Sequence, residues 1–167
     1  LDTELVRGAL AVDAMVKAEL TREAKELTGL ANPNSAAQLK PWLEQQSGRK
    51  IENLQKETVA DLLNEMEDPK AKRVLRLRQE LSKTSVKKYA AMDAARCEDN
   101  RVRGLMQFYG ANRTGRWAGR LVQLQNLTKN KTEILDFARQ LVKEQKTETI
   151  KVIFGNASDL LSQLIRT

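Results

Sequence analysis

The side chains best suited to binding another molecule lie in one polar stretch of the chain, G-A-N-R-T-G-R-W-A-G-R-L-V-Q-L-Q-N-L, residues 110–127. The donor side chains in this stretch are Arg113, Arg116, Arg120, Gln123, Gln125 and Asn126. In the minor groove of a duplex every base pair presents an acceptor at nearly the same place, so donors can test pairing without reading sequence. Three glycines also permit close approach of the backbone to a large partner. The same residues are compatible with a polar, twisted hairpin whose arginines are simply solvated.

The residue types that are absent exclude several kinds of chemistry. The chain has no histidine and one cysteine, Cys97. Ser-His and Cys-His nucleophile systems, histidine zinc sites and the usual proton shuttle are therefore excluded. A single cysteine forms neither an internal disulfide nor a thiolate metal cage, and it favours a reducing compartment. Aspartate and glutamate still allow a magnesium enzyme, which has to be judged from the positions of the acids.

The excess positive charge is concentrated in the middle of the chain. Overall, 29 basic and 22 acidic side chains give a net charge of +7. Residues 70–131 hold 16 of the basic and 4 of the acidic side chains, whereas residues 1–69 carry a net −5 and residues 132–167 are neutral. So many like charges would repel one another, and an anionic partner therefore explains them better than a solvated face does.

The length and hydropathy of the chain limit its architecture. A chain of 167 residues that is 41% apolar is expected to form one domain or two small ones. No apolar run is long enough to span a membrane, so no membrane association is expected. Leu1 is not an initiator methionine and no signal peptide follows it, so we expect that the chain starts inside a longer protein or was processed.

Apolar residues spaced three or four apart predict helices over most of the chain. The expected helices span 2–28 (capped by Asp2 and ended by Gly29), Ser35 to about Gln46 (opened by a Ser35–Gln38 capping box), a third helix around 59–66, and a basic helix from Asp68-Pro69 to about Met92. Arg49 and Lys50 lie on the loop after the second helix.

The pattern changes after Asp99. Residues 102–109 and 115–124 contain β-forming residues across a short polar turn, which predicts two antiparallel strands. Helical spacing returns from Thr132, residues 150–154 fit a helix or a strand, and Ser158 is expected to cap a last helix. The predicted fold class is therefore α+β, mainly helical with a small antiparallel β element.

Two motifs in the stretch resemble a known family. Thr114-Gly115-Arg116 followed by Leu124-Gln125-Asn126-Leu127 closely resembles the T-G-R-L-S-S…N-L-Q-N-I-P signature of family A (Pol I-like) DNA polymerases. The form found here, F-Y-G-A-N-R-T-G-R-W-A-G-R-L-V-Q-L-Q-N-L, is similar to the bacteriophage branch. It departs from the signature at Thr128, near the usual proline, and at Trp117-Ala118-Gly119, which replaces L-S-S.

Two further elements are similar to parts of the thumb in that family. Leu81-Ser82-Lys83-Thr84 resembles the L-x-K element at the end of the last thumb helix, and Asn34-Ser35 with Gln38-Leu39 resembles the N-S-x-x-Q-L element at the thumb tip. The resemblance implies a helical thumb over 1–93, a partial palm β element over 94–131, and a helical segment over 132–167 that leads toward the first aspartate motif.

The resemblance also implies roles for individual residues. Arg116 would contact the minor groove near the primer terminus, and Gln125 and Asn126 would contact the template–primer duplex beside it. Lys83 and Thr84 would touch the sugar–phosphate backbone. From the residues alone we add four basic candidates for DNA binding: Arg49 and Lys50 on the loop, and Arg113 and Arg120 beside the motif.

The motifs that carry out polymerase chemistry are missing. That chemistry requires two divalent metal ions held by two aspartates. In the resembled family these aspartates lie in D-x-S-x-I-E-x-R and H-D-E motifs, and the nucleotide-binding helix reads K-x-x-x-F-G-x-x-Y-G; none of the three occurs here. We therefore expect a fragment of a DNA-directed DNA polymerase with no catalytic residue, metal site or cofactor of its own. It would grip primer–template DNA without extending it, and Mg²⁺ would belong to the full-length parent.

Two other functions remain open on the sequence. A stand-alone basic helical DNA-binding module would prefer one DNA site. An interaction protein that uses its amphipathic helices would leave the basic middle unexplained. The incomplete palm sheet would also leave an unpaired edge within 100–125, at which copies of the chain could self-associate. The resemblance implies a cytoplasmic location, in a bacterial host or encoded by a prophage.

Overall fold

A computed structural model describes residues 1–83 and 86–167 of the chain. Helices dominate, and the one sheet in the described part has two antiparallel strands, which confirms the α+β prediction. The elements are α1 (Thr3–Thr28), α2 (Ala36–Ser47), α3 (Lys56–Glu65), α4 (Pro69–Leu81), α5 (Lys87–Ala94), β1 (Met106–Ala111), β2 (Arg116–Gly119), a 3₁₀ turn (Leu124–Asn126), α6 (Leu135–Lys143), α7 (Thr147–Phe154) and α8 (Ala157–Leu164).

The chain divides into two compact units. The helical unit is Val16–Lys83, and the hairpin unit combines Leu1–Met15 with Thr84–Thr167. Helix α1 contributes residues to both. The division into 1–93, 94–131 and 132–167 refers to the polymerase family and stays a prediction.

The core of the helical unit is aliphatic. Its buried members are Leu39, Leu43, Ile51, Val59, Leu62, Met66, Ala71, Val74 and Leu75. Asp68 caps α4 as predicted, since its carboxylate accepts from the backbone N–H of Ala71 at 2.8 Å. The predicted capping box at the start of α2 is wrong. The Ser35 side chain makes no cap bond, and the Gln38 side-chain oxygen instead accepts from the N–H of Asn32 at 2.8 Å.

The basic helix is shorter than predicted. It ends at Leu81 rather than near Met92, and α5 is a separate helix. The Ser82 hydroxyl donates to the Gln79 carbonyl at 2.8 Å, and the Lys83 N–H bonds to the Glu80 carbonyl at 3.2 Å. A hydroxyl that bonds to a nearby carbonyl and a three-residue backbone bond both tighten and end a helix. Thr84 lies outside the described residues.

The hairpin unit is held together by close packing and by buried polar contacts. At Gly8 on α1 a Cβ atom would overlap the backbone carbonyl of Val142 on α6, so glycine permits the contact between these helices. Tyr89 on α5 is 1% exposed, and its hydroxyl donates to the Leu161 carbonyl at 2.8 Å. Burial raises the pKa of this hydroxyl, so it remains a neutral donor.

The structure decides two predictions about the last helices. Residues 150–154 belong to helix α7. Helix α8 is capped by Asn156 rather than by Ser158, because the Asn156 side-chain oxygen accepts from the N–H of Asp159 at 3.1 Å. Ser158 lies within the helix and is 5% exposed.

Both strands are shorter than the segments 102–109 and 115–124 predicted from the sequence. The ladder is irregular between Gln107 and Ala111, where Tyr109 has φ +53°. Beyond β2 the backbone turns at Leu121 (φ +54°) and Gln123 (φ +52°), and Val122 between them is buried. These left-handed residues end the extended conformation. None of the described helices is both long and apolar enough to cross a membrane.

Candidate nucleic-acid interface

The hairpin of β1 and β2 carries the T-G-R motif. Met106 pairs with Gly119, Gln107 with Ala118 and Ala111 with Arg116. Gly115 has φ +65°, a conformation that glycine adopts without strain, and a Cβ atom there would meet the ring of Tyr109. The glycine of the motif therefore serves both the turn and the packing of the Tyr109 ring.

The L-Q-N motif forms the 3₁₀ turn, and this turn is fixed against the hairpin. The side-chain amide of Gln125 lies where a Cβ atom of residue 119 would be, so Gly119 makes room for it. The Asn126 side-chain amide donates to the Gln123 side-chain oxygen at 2.9 Å, and the Lys88 ammonium on α5 donates to the Asn126 carbonyl at 2.9 Å. The two motifs, which are separate in sequence, are thus packed against each other.

The three residues with the most specific sequence prediction are all exposed, but they do not share one face of the ribbon. Side chains alternate along a strand, so Arg116 lies on the same face as Ala118. Gly119, and with it the Gln125 amide, lies on the opposite face, which also carries Trp117. The structure therefore places Arg116 and Gln125 on the two faces of a narrow ribbon, with Asn126 exposed beside them.

The hairpin arginines have no partner in the part of the chain that the structure describes. The side chains of Arg113, Arg116 and Arg120 are exposed, and their guanidinium groups make no hydrogen bond or ion pair within residues 1–83 and 86–167. Residues 100–131 contain seven basic side chains and no acidic one. The positive potential of the hairpin is therefore not neutralised by its own segment, which favours an anionic ligand.

Just before the hairpin, the charges are paired. The Arg103 guanidinium donates to both oxygens of Asp99, at 2.9 and 2.6 Å. This bond lowers the pKa of the Asp99 carboxyl, although the side chain is exposed. Arg101 lies 3.9 Å from the same carboxylate. These two arginines are thus less available to a ligand than those of the hairpin.

The remaining candidates lie outside the hairpin, with Arg49, Lys50 and Lys83 in the helical unit. Arg49 is paired with Glu65 at 2.7 Å, and Lys83 with Glu80 at 2.9 Å. Lys50 is exposed on the loop after α2. Thr84 falls outside the described residues. The Arg49–Glu65 pair is exposed, and such pairs are weak, about 0–1 kcal/mol, so a phosphate can compete for Arg49. Both side chains of the Lys83–Glu80 pair are partly buried.

Two features of this surface were not predicted from the sequence. One is a group of exposed aromatic rings, with Phe108 70%, Trp117 59% and Tyr109 57% exposed. Its sequence signal is that three of the seven aromatic residues fall within 108–117. The other is Lys88, whose bond to Asn126 spans 38 positions and leaves no local pattern in the sequence.

One comparison with known proteins bears directly on this surface. The chain is 57% identical, over all 167 residues, to a segment of the DNA polymerase of Bacillus phage SP02. It is similar to part of a phage DNA polymerase. The chain spans 26%, about a quarter, of that relative, and the similarity supports the prediction of a DNA polymerase segment. No protein-family model and no solved structure matches the chain.

Within 1–83 and 86–167 no group of three Asp, Glu or Cys side chains comes together in a way that could hold a metal ion. Asp93 and Asp99, which flank the end of α5, are paired with Arg96 at 3.4 Å and with Arg103 at 2.6 Å. The donors of this surface are therefore cations and amides, which bind anions and base edges.

Proposed function

We propose that this chain is the duplex-gripping segment of a phage-type family A DNA polymerase, with a thumb and the beginning of a palm. The observation that carries the proposal is the packing of the Gln125 amide on Gly119. This contact fixes the L-Q-N turn against the T-G-R hairpin, so that exposed donors of both motifs lie close together on one narrow ribbon. The similarity of the whole chain to a segment of a phage DNA polymerase supports it.

In this proposal the ribbon lies along the minor groove of primer–template DNA, and the donors on its two faces reach successive base pairs. Arg116 contacts an acceptor near the primer terminus, and Gln125 and Asn126 contact acceptors in the adjoining duplex. Because those acceptors occupy nearly the same place in every base pair, binding is independent of sequence. Arg113 and Arg120 bind phosphates on either side.

Residues outside the hairpin supply a second set of contacts in the same proposal. Lys83 and Thr84 contact the sugar–phosphate backbone, and Arg49 and Lys50 contact phosphates at the tip. No catalytic residue is assigned to this chain. Mg²⁺ and the incoming nucleotide would be bound by other parts of the polymerase, in the cytoplasm of a bacterial host.

The test is a fluorescence-anisotropy titration of labelled primer–template DNA with the full chain, without Mg²⁺. Arg116→Ala is expected to weaken binding by about 1–3 kcal/mol, the range for a direct base-edge contact. Arg7→Ala removes an exposed arginine from α1 and serves as the charge-matched control, with an expected affinity close to that of the wild type.

Two outcomes would contradict the proposal. If Arg116→Ala and Arg7→Ala bind DNA equally well, Arg116 does not contact the groove. If duplexes of unrelated sequence differ strongly in affinity, the chain reads sequence, and a stand-alone DNA-binding module explains it better. Equal affinities for these duplexes, together with a selective loss in Arg116→Ala, are the expected result.

A further inference from the structure

The hairpin presents a set of aromatic side chains to solvent. We call Phe108, Tyr109 and Trp117 the aromatic surface. The rings of Phe108 and Trp117 are 5.3 Å apart in an edge-to-face arrangement, and those of Phe108 and Tyr109 are 6.3 Å apart. All three side chains are more than half exposed. Contiguous exposed apolar groups with a polar rim mark binding sites in soluble proteins.

The backbone holds the aromatic surface in place at a local energetic cost. Tyr109 has φ +53°, a rare conformation for a bulky residue, and it lies in the irregular part of the ladder. Its ring rests against Gly115, where a Cβ atom would collide with it. Strained residues of this kind cost about 1–3 kcal/mol and cluster at functional sites. Here the strained residue carries one of the solvent-exposed rings.

The charge around the aromatic surface indicates what covers it. Residues 100–131 hold seven basic side chains and no acidic one, and Arg113, Arg116 and Arg120 have no partner in the described part of the chain. A second copy that docked through this surface would bring two such segments together, which like-charge repulsion opposes. A polyanion that also carries flat apolar faces satisfies both the charge and the rings.

We propose that the aromatic surface binds single-stranded DNA: unpaired bases stack on Phe108 and Trp117, and Arg113 in the turn of the hairpin binds a neighbouring phosphate. Aromatic side chains beside cations are the general means by which proteins bind single strands without reading sequence. Bases inside a duplex are already stacked on one another. The aromatic surface therefore binds a different ligand from the duplex that Arg116, Gln125 and Asn126 are proposed to contact. The choice of DNA rather than RNA rests on the proposed function.

The chain offers an internal fluorescent probe for this site. Its two tryptophans are Trp42, which packs against the core of the helical unit, and Trp117. In a Trp42→Phe variant, all tryptophan emission comes from Trp117. We expect an oligothymidylate to quench this emission, because the bases stack on the ring. An abasic oligonucleotide of the same length carries the same phosphates and should leave the emission unchanged.

Matched substitutions test the rings separately from the charge. Phe108→Ala should weaken oligothymidylate binding about tenfold, since each base–aromatic stack contributes a factor of that order. Phe137→Ala removes an aromatic side chain that is 49% exposed on α6, and it should leave the affinity unchanged. Phe108→Leu preserves an apolar contact across the hairpin but removes the ring, so it should show most of the loss in oligothymidylate affinity. Circular dichroism verifies that both Phe108 variants are folded.

Three results would overturn this inference. They are the absence of quenching, equal responses to the abasic and the base-containing strand, and emission changes that depend on protein concentration without DNA, which would indicate a protein interface. Duplex anisotropy on the same samples separates this inference from the proposed function. Duplex binding without an oligothymidylate response overturns only the single-strand site, whereas quenching without duplex binding overturns only the duplex grip.

Discussion

The helical unit and the hairpin use the same cationic side chain in different ways. In the helical unit, Arg73 donates to both carboxylate oxygens of Glu23 at 2.6 and 2.8 Å, and Arg78 donates to the Asn34 carbonyl at 2.7 Å. On the hairpin, Arg113, Arg116 and Arg120 make no such contact with the described residues. The number of cationic side chains in a region therefore does not locate an anion site. Cationic side chains that lack partners within the described residues are the better indicator.

Internal contacts also shift the pKa values of charged groups in the helical unit. The bond from Arg73 lowers the pKa of the Glu23 carboxyl, and the same bond raises the pKa of Arg73. Burial lowers the pKa of Arg78, which donates to an uncharged carbonyl. These arginines are thus part of the local structure of the helical unit. We therefore expect substitutions of residues in the helical unit to affect stability and substitutions on the hairpin to affect DNA binding.

Removal of a core leucine should have the largest effect on stability. Leu75 is 0% exposed, whereas Leu121, just after the hairpin, is 60% exposed. Leu75→Ala should lower the free energy of unfolding by about 2–5 kcal/mol. Leu121→Ala should lower it by no more than about 0.5 kcal/mol. Urea unfolding followed by circular dichroism measures both, and similar losses would show that Leu121 is part of a core.

Much of the helical unit was predictable because its signals are local. Asp68-Pro69 at the start of α4, and Gly29 and Gly48 at the ends of α1 and α2, act through their own backbone preferences. The end of α4 was not predictable, because apolar and basic spacing continues past it. The side-chain bond from Ser82 that accompanies the break has no signature distinct from that of any exposed serine.

A methyl group at position 119 tests the packing of the Gln125 amide against the hairpin. Gly119→Ala would push this flexible side chain away from the hairpin with little effect on the fold. We expect primer–template affinity to fall by about 1 kcal/mol, as for the loss of one hydrogen bond. Gln125→Ala should give a similar loss, and the double variant should lose no more than either single variant. Additive losses would contradict the role given to this contact.

The site was only partly predictable, for a related reason. Thr114-Gly115-Arg116 and Leu124-Gln125-Asn126 are recognisable motifs, so the candidate residues could be named. Their arrangement depends on long-range packing, and strand alternation separates Arg116 from Gln125. The bond from Lys88 to the turn and the exposure of the aromatic rings also depend on tertiary structure, so only coordinates reveal them.

Lys88 allows a smaller and more selective test. Lys88→Ala removes the bond to the Asn126 carbonyl and should weaken primer–template binding by about 0.5–1.5 kcal/mol. Lys87→Ala removes the same charge from the exposed neighbouring position and should have a smaller effect. Anisotropy titrations at one salt concentration compare the two variants. Equal losses would mean that Lys88 acts through its charge alone.

The smallest expected effect concerns an ion pair that serves only stability. Asp2 caps α1 and pairs with Arg139 and Lys143, each at 2.9 Å. Burial acts to raise its pKa, but the Leu5 N–H bond and the two cations outweigh burial, so the pKa of Asp2 is lowered. Its contribution is therefore present above the ordinary aspartate pKa and is lost as the pH falls through the lowered value.

Asp2→Asn should cost less than about 1 kcal/mol of unfolding free energy at neutral pH. The difference from the wild type should shrink as the pH drops below 3.8, the ordinary value. Primer–template binding at neutral pH should not change. A stability difference between wild type and variant that does not change with pH would show that Asp2 does not stabilise the fold through its charge.

The most direct test of the central claim compares two sets of three arginine substitutions. One set changes the hairpin residues Arg113, Arg116 and Arg120 to glutamine, and the other changes the exposed Arg7, Arg22 and Arg166. Primer–template affinity is measured against salt concentration. The account predicts that the hairpin set binds more weakly, with a log–log salt slope shallower by about 2 for the two phosphate contacts. It also predicts that the second set keeps the wild-type slope. Equal changes in the two sets would contradict the account, because they would show that binding follows net charge rather than the hairpin.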